Sequence, residues 1–320
     1  MEIDILKVVL TLAAGLVVFL YALNLLSDSM KAVAGEKLKN FLGRFTRNLF
    51  TAIISGTIVT ILLDSSSAVI IMTIAFVGAG VLTFRQSMGV VMGANIGTTI
   101  SSQIIAFDIG EWSALPMLVG FVILFVSKKA RPQAMGKIVF STGLLFFGLY
   151  VMGEAVSPLK NSDAFERWMT QMETPWKGVF AGLVTTLVIQ SSSATVGMVV
   201  KLSHEGLISL AAGIAIMMGA ELGTCSDTLF ATLGQSRSAI KTGIFHLFFN
   251  ITSIFIGVLF IGAFTKLVLW LTPSDAIAHQ IAQAHMLFNI MGVLLFLPLV
   301  GTINRLLDTW LPDKAPVPQT

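Results

Sequence analysis

The sequence predicts an all-α polytopic membrane protein made of two inverted-topology repeats, each with one re-entrant helical hairpin and three crossings, plus a final helix. Three observations lead there: the composition, an internal repeat, and the sidedness of the basic residues. The 320 residues are 55% hydrophobic and only 12% charged, with a mean hydropathy of +0.87. Soluble domains carry about 25% charged residues, so half the usual solvated surface is missing. Apolar runs long enough to cross a bilayer recur along the whole chain. A net charge of +3 and a pI near 9.0 could suit a nucleic-acid partner, but the basic residues form no single patch and read as topology signals. Cys225 is the only cysteine, which excludes an intrachain disulfide scaffold.

The elements follow in order. Leu6 to Leu26 is apolar, and its flank of Glu2, Asp4 and Lys7 differs from the basic flank and shorter core of a signal peptide, so it reads as a retained helix. Lys31 to Arg47 alternates basic and apolar positions, as an interfacial helix does. Its counterpart near 160–175 carries Phe165, Trp168, Met169 and Met172. Full apolar segments fall near 5–27, 86–107, 112–127, 135–157, 207–232, 241–270 and 279–303. The stretches 51–79 and 177–204 are each interrupted at a serine triplet. Arms of about 13 residues, at 1.5 Å per residue, reach only about 20 Å and cannot cross a core of about 30 Å. A re-entrant hairpin with the serines at its buried tip accounts for this. The alternative is one continuous spanning helix with a serine cluster at a packing interface.

The repeat carries an offset of 126 residues. Leu63-Asp64-Ser65-Ser66-Ser67-Ala68 matches Ile189-Gln190-Ser191-Ser192-Ser193-Ala194, and the same register, without a gap, carries Met92 to Thr98 onto Met218 to Thr224. Gly56, Thr60, Met72 and Gly80 fall on Gly182, Thr186, Met198 and Gly206. Two separate motifs in one register make duplication the reading. Gly15 to Tyr21 resembles Gly143 to Tyr150 more loosely, which supports retention of the first helix. The organisation is therefore a first repeat at 1–134 with its tip near 64–67, and a second at 135–270 with its tip near 190–193. A C-terminal transmembrane helix at 271–311 and a disordered tail at 312–320 follow.

If seven segments cross and both hairpins return to their starting side, 14 of the 20 basic residues lie on one side and 6 on the other. The positive-inside rule then puts the N-terminus outside and the C-terminus in the cytoplasm of the cell membrane, the inner one in bacteria. Three crossings per repeat make the second repeat start on the opposite face. Inverted repeats with broken helices are an architecture of secondary transporters.

At each tip one helix ends and another begins, so the second presents unpaired N–H groups and the positive end of its dipole to an anion. Serine is a preferred N-cap, and adjacent hydroxyls add donors. Carbonyls ending the first arm, with hydroxyl lone pairs, can coordinate a small cation such as Na⁺. In the second motif the small residues of Gly93-Ala94-Asn95-Ile96-Gly97 and Gly219-Ala220-Glu221-Leu222-Gly223 sit four apart, which suits close helix packing. Asn95 and Thr98 carry groups suited to completing an ion site. Asp64, Glu221 and Asp227 fall within apolar segments, where an acid is costly and functional by default. Asp64 and Glu221 stand where the other repeat has Gln190 and Asn95. Beside an anion they would repel it, so they read as ligands of the coupling cation or as protonated groups. His246 with Asn250, and His285 with Asn289, are spaced i, i+4 and read as interhelical hydrogen-bonding pairs. No Cys/His spacing suggests zinc. No Gly-x-Ser-x-Gly occurs and no histidine is near either triplet, so the chain reads as no enzyme.

At these residues the chain resembles the type II sodium-dependent phosphate cotransporter family and its bacterial relatives. The paired Gln-Ser-Ser-Ser signature is intact as Gln190-Ser191-Ser192-Ser193, and Met92 to Thr99 is similar to the family's Gly-Ala-Asn-Ile-Gly-Thr-Thr segment. The resemblance runs from the first helix to about Leu311. It implies secondary active, Na⁺-driven uptake of inorganic phosphate, with no cofactor besides Na⁺ and no partners beyond phosphate, sodium ions and membrane lipids. It leaves the oligomeric state open, a homodimer included. The resemblance carries phosphate contacts to Ser65, Ser66, Ser67, Gln190, Ser191, Ser192 and Ser193, and ion-site roles to Asn95, Thr98 and Thr224. Asp64 and Glu221 depart from the family's Gln and Asn, and join the cation site on physical grounds alone. Those departures keep open a symporter for another small anion, or one driven by protons through Asp64 and Glu221.

Overall fold

The computed structural model describes residues 4–312 except 163–166, 168–170, 173 and 275. The described chain is helical throughout, with no strand among the described residues. Its apolar helices make it an integral membrane protein. Helix α1 (Ile5–Phe45) runs for 41 residues with Asp4 as its N-cap. The expected break between a spanning helix and an interfacial one is absent, because no proline interrupts residues 5–45. At about 60 Å the helix outruns the hydrocarbon core by a wide margin, and its apolar span is Ile5–Val33. Half of the counterpart expected near 160–175, including Phe165, Trp168 and Met169, lies outside the described residues, as does the tail beyond Pro312.

Both interrupted stretches are split at the serines. Helix α2 (Leu49–Leu63) ends in Asp64, and α3 (Ser66–Gly78) starts after Ser65. Helix α4 (Phe84–Ile105) follows, then a one-turn 3₁₀ segment and α5 (Ala114–Val126), with a bend of 78° between the two. Helix α6 (Ala130–Val156) opens the second half, which continues with α7 (Pro175–Ile189), α8 (Ser192–His204) and α9 (Leu210–Gly223). Moved by 126 residues, α2, α3 and the start of α4 land on α7, α8 and the start of α9 without an offset. The backbone repeats its unusual torsions in the same register. Asp64 and Gln190 take φ of 50° and 59°, and Gly80 and Gly206 take 72° and 69°. Left-handed torsions cost a residue with a Cβ about 1–2 kcal/mol, so two such ends mark a built turn.

Three expected crossings are not single helices. The segment 207–232 divides at Thr224 into α9 and the short α10 (Cys225–Phe230), with the carbonyl of Glu221 drawn to the Thr224 hydroxyl at 2.9 Å and the Cys225 thiol at 3.7 Å. The segment 241–270 divides at Phe260 into α11 (Arg237–Leu259) and α12 (Ile261–Leu271). The last segment is α13 (Ile277–Phe296) and α14 (Val300–Trp310), joined by a 3₁₀ turn at Pro298, whose ring nitrogen cannot donate. Among the described residues, four stretches remain long and apolar enough to span: Ile5–Val33, Ala130–Leu159, Arg237–Leu259 and Ile277–Trp310. The bent pair of α4 and α5 adds a fifth, fewer than the seven straight crossings expected.

Packing does not follow the sequence halves. One apolar core unites α1 with α6 and the second-half helices α7 to α9, through residues such as Phe19, Leu149, Val196 and Met218. The other unites α2, α3 and α4 with α11, α13 and α14, through Val59, Met92, Phe249 and Phe296. Glycine permits the tightest approach. A Cβ on Gly93 would stand 1.9 Å from the Ile53 carbonyl oxygen, and one on Gly219 would stand 1.9 Å from that of Val179. Helices α2 and α7 therefore lie backbone to backbone against α4 and α9.

Candidate functional site

The two helix breaks are built alike. Asp64 and Gln190 close α2 and α7 in the left-handed region, their own N–H groups returning to Thr60 and Thr186. Ser65 and Ser191 then cap α3 and α8: the Ser65 hydroxyl accepts the Ala68 N–H at 3.2 Å, and that of Ser191 accepts the Ala194 N–H at 3.1 Å. Capping thus occupies the first serine of each triplet. The second and third stand at the first two helical positions, where N–H groups have no intrahelical acceptor, and Ser66, Ser192 and Ser193 are buried. A buried helix N-terminus with free N–H groups and hydroxyls is suited to an oxyanion.

Each break is held differently. In the first, the Asp64 carboxylate accepts the Ser101 hydroxyl of α4, and the Leu63 carbonyl accepts the Ser27 hydroxyl of α1 at 2.9 Å. The Ser67 hydroxyl reaches out of its own half to Asp227 Oδ2 in α10, 3.3 Å away, and Ser226 donates to the other oxygen of that carboxylate, also at 3.3 Å. In the second break, Gln190 is exposed and Thr186 donates to Thr195 at 2.8 Å. Helix α3 packs on α10 and α11 while α8 packs on α4 and α13, so each hairpin's second arm leans on the other half. Among the described residues no hydrogen bond joins the two triplets directly, and the Ser67–Asp227 contact is the link between a tip and the opposite half.

The second motifs pack against the first arms of the hairpins. Asn95 is 2% exposed and its Nδ2 has no hydrogen-bond partner among the described residues, an expensive state for a buried amide. The Thr98 hydroxyl donates to Ala94 O at 3.0 Å and Thr224 donates to Glu221 O, which leaves lone pairs on both hydroxyl oxygens as acceptors. Glu221, 2% exposed, accepts from His285 Nε2 at 2.9 Å. Neutral and acidic oxygens in such surroundings can hold a small hard cation, while thiolate or clustered imidazole sites are absent among the described residues.

Sequence reasoning assembled the triplets and the acids but missed their partners. Asp227 was legible as an acid within an apolar run, and the 126-residue offset already pairs it with Ser101, the residue that holds Asp64. His285 carried only the expectation of an interhelical bond. It makes two, to Glu221 and to Ser102.

The chain matches the family described as Na⁺/Pi-cotransporter in two stretches, residues 18–154 and 155–297. YqeW of Bacillus subtilis, a protein whose name carries no function, is 29% identical over 310 residues, covering 96% of this chain and 99% of its own. YjbB of Escherichia coli, provisionally named an inorganic phosphate export protein, is 22% identical over 95% of this chain; the match spans only 56% of YjbB. The human sodium-dependent phosphate transport protein 2B is 32% identical over 98 residues, 30% of this chain and 14% of that protein. No solved structure matches the chain. The two matched stretches cover most of the sequence, and the family is one of transporters, not enzymes: the chain belongs to the Na⁺/Pi-cotransporter family.

Proposed function

We propose that the chain is a secondary active symporter that couples Na⁺ entry to uptake of inorganic phosphate, by alternating access around a mid-membrane site formed by the two serine-rich tips. The observation that carries this reading is the pair of left-handed helix ends at Asp64 and Gln190, each followed by a serine-capped helix with buried hydroxyls. Phosphate is met by Ser65, Ser66, Ser67 and by Gln190, Ser191, Ser192 and Ser193. The cation is met by Asp64, Asn95, Thr98, Glu221 and Thr224. The two halves are read as inverted repeats, with the N-terminus outside the cell membrane and the C-terminus in the cytoplasm.

Purified protein in proteoliposomes tests this through phosphate uptake with and without an inward Na⁺ gradient. Stimulation by Na⁺ is the expected result. Uptake that ignores Na⁺ and collapses with a pH gradient replaces the coupling ion with the proton, and uptake of another anion at phosphate's expense replaces the substrate. The name of YjbB favours a second reading, phosphate export. Reversing the Na⁺ gradient across phosphate-loaded vesicles separates the two, because a symporter follows whichever gradient is imposed.

A further inference from the structure

A hydroxyl on each half of the molecule holds one buried histidine by the same ring nitrogen. Ser102 Oγ lies 2.5 Å from His285 Nδ1, and Thr228 Oγ1 lies 2.8 Å from His246 Nδ1. Ser102 and Thr228 are 126 residues apart, so the internal repeat supplies both hydroxyls. Both histidines sit four residues before an asparagine whose Nδ2 donates to the histidine carbonyl at 3.2 Å. The arrangement was built twice, and it differs in what the free Nε2 meets. His246 Nε2 stands 4.0 Å from the Cys225 sulfur, a weak contact. His285 Nε2 stands 2.9 Å from Glu221 Oε1.

Glu221 belongs to the second copy of the motif, where the first copy has Asn95. Its carboxylate is nearly inaccessible, and an acid so placed must be held by donors or by a positive charge. A carboxylate oxygen only accepts, so Nε2 is the donor, and the ring is pinned at its far side by Ser102. Oε1 is thereby fixed, while Oε2 has no hydrogen bond among the described residues. We propose that His285 is a positioning residue for the coupling cation: anchored on Ser102 of α4, it aims the Glu221 carboxylate of α9 so that Oε2 is presented to the ion. The inference rests on the Na⁺-coupled reading above. Its physical reason is that a second layer of hydrogen bonds orients the groups that touch an ion, and loss of such a partner typically costs about 10–100-fold in affinity. Helix α13 lies outside both motifs, so neither serine signature contains the residue on which the Glu221 ligand depends.

The test is the Na⁺ dependence of phosphate uptake in proteoliposomes, measured beside the phosphate KM at saturating Na⁺. His285→Ala is expected to raise the half-saturating Na⁺ concentration at least about tenfold while the phosphate KM moves less than about twofold. His285→Gln retains an amide donor and is expected to recover part of the loss. Ser102→Ala frees the ring and is expected to shift Na⁺ half-saturation by an intermediate factor. His246→Ala removes the matching histidine that meets no carboxylate, and is expected to leave Na⁺ half-saturation within about twofold. An unchanged Na⁺ dependence in His285→Ala overturns the proposal, as does an equal shift in His246→Ala or a parallel change in both constants. Should His285→Ala fail to fold, His285→Gln and Ser102→Ala carry the same decision. Wild-type uptake without Na⁺ dependence overturns the transport reading and this inference together, whereas a Na⁺-dependent wild type with an indifferent His285→Ala overturns only the inference.

Discussion

The two helix breaks share a backbone and divide their chemistry. In the first half the tip carries the acid, Asp64, and the long helix carries the hydroxyl that holds it, Ser101. In the second half the tip carries the amide, Gln190, and the position of Ser101 is taken by the acid Asp227, which receives Ser67 from the other half. The far ends of the hairpins differ as sharply. Lys201 in α8, with 8% of its side chain exposed, lies 3.1 Å from both Asp108 Oδ2 and Glu205 Oε1, tying the end of α4 to the second hairpin. His204 adds a hydrogen bond to the Ala106 carbonyl at 3.1 Å. The equivalents of Lys201, Glu205 and Asp108 are Ala75, Ala79 and Gly234, and a cavity of about 770 Å³ lies there, lined by Gly78, Gly80, Gly234, Gln235 and Arg237 among others. Duplication thus kept what packing requires and let the charges separate. The first hairpin's end has no counterpart of the Lys201 tie, and α11, which lines the cavity there, is bound instead to α14 by Lys241 and Asp308 at 2.6 Å.

Shared geometry should fail symmetrically. Gly93→Leu and Gly219→Leu are each expected to abolish folded protein, because even a Cβ meets a carbonyl oxygen at 1.9 Å on both sides. The alanine variants should each lose about 3 kcal/mol or more, the upper range of overpacking. Yield of monodisperse protein in detergent and its thermal midpoint read this out. Tolerance of alanine at one glycine and not the other would deny the two packings a common origin.

Divided chemistry should fail on one side only. Lys201→Met removes the cation that Asp108 and Glu205 share, and is expected to cost about 1–3 kcal/mol, below the full price of a buried pair because both acids keep some solvent. Ala75→Met, at the equivalent position of the first hairpin, is expected to change the thermal midpoint little. A double-mutant cycle with Asp108→Asn measures the coupling, and additivity of the two changes would remove the ion tie from the account. The smallest effect belongs to the tips. Asp64→Asn removes a charge but keeps an acceptor for Ser101, and is expected to raise the half-saturating Na⁺ concentration about tenfold, equivalent to about 1.4 kcal/mol. Gln190→Asn, in the exposed counterpart, should leave that constant within about threefold. Equal responses at Asp64 and Gln190 would mean that the acid has no special part in cation binding.

Much of the site was legible because the information was local and duplicated. The left-handed turn and its N-cap need only Asp64-Ser65 and Gln190-Ser191, residues adjacent in the chain, and a register of 126 brought every counterpart with them. The breaks at Thr224 and Phe260 were not legible, because both lie inside unbroken apolar runs and neither is a proline or glycine. Thr224 follows Gly-Ala-Glu-Leu-Gly, and its equivalent Thr98 sits in an uninterrupted helix. The same motif is therefore continuous in one half and broken in the other. His285 was visible as a buried polar residue, but its partners lie 64 and 183 residues away.

Hydropathy, repeat register and capping chemistry act within a turn or two of the chain, or between copies of one pattern. From them alone follow the membrane class, the two serine-capped helix starts, the glycines of close approach and the acids that need an explanation. Which half supports which is another matter. That α1 shares a core with the second half, that Ser67 finds Asp227, and that Lys201 ties the second hairpin to Asp108 all depend on how the helices cross. Helix crossing is set by shape complementarity summed over whole faces, and that sum has no address at any single residue.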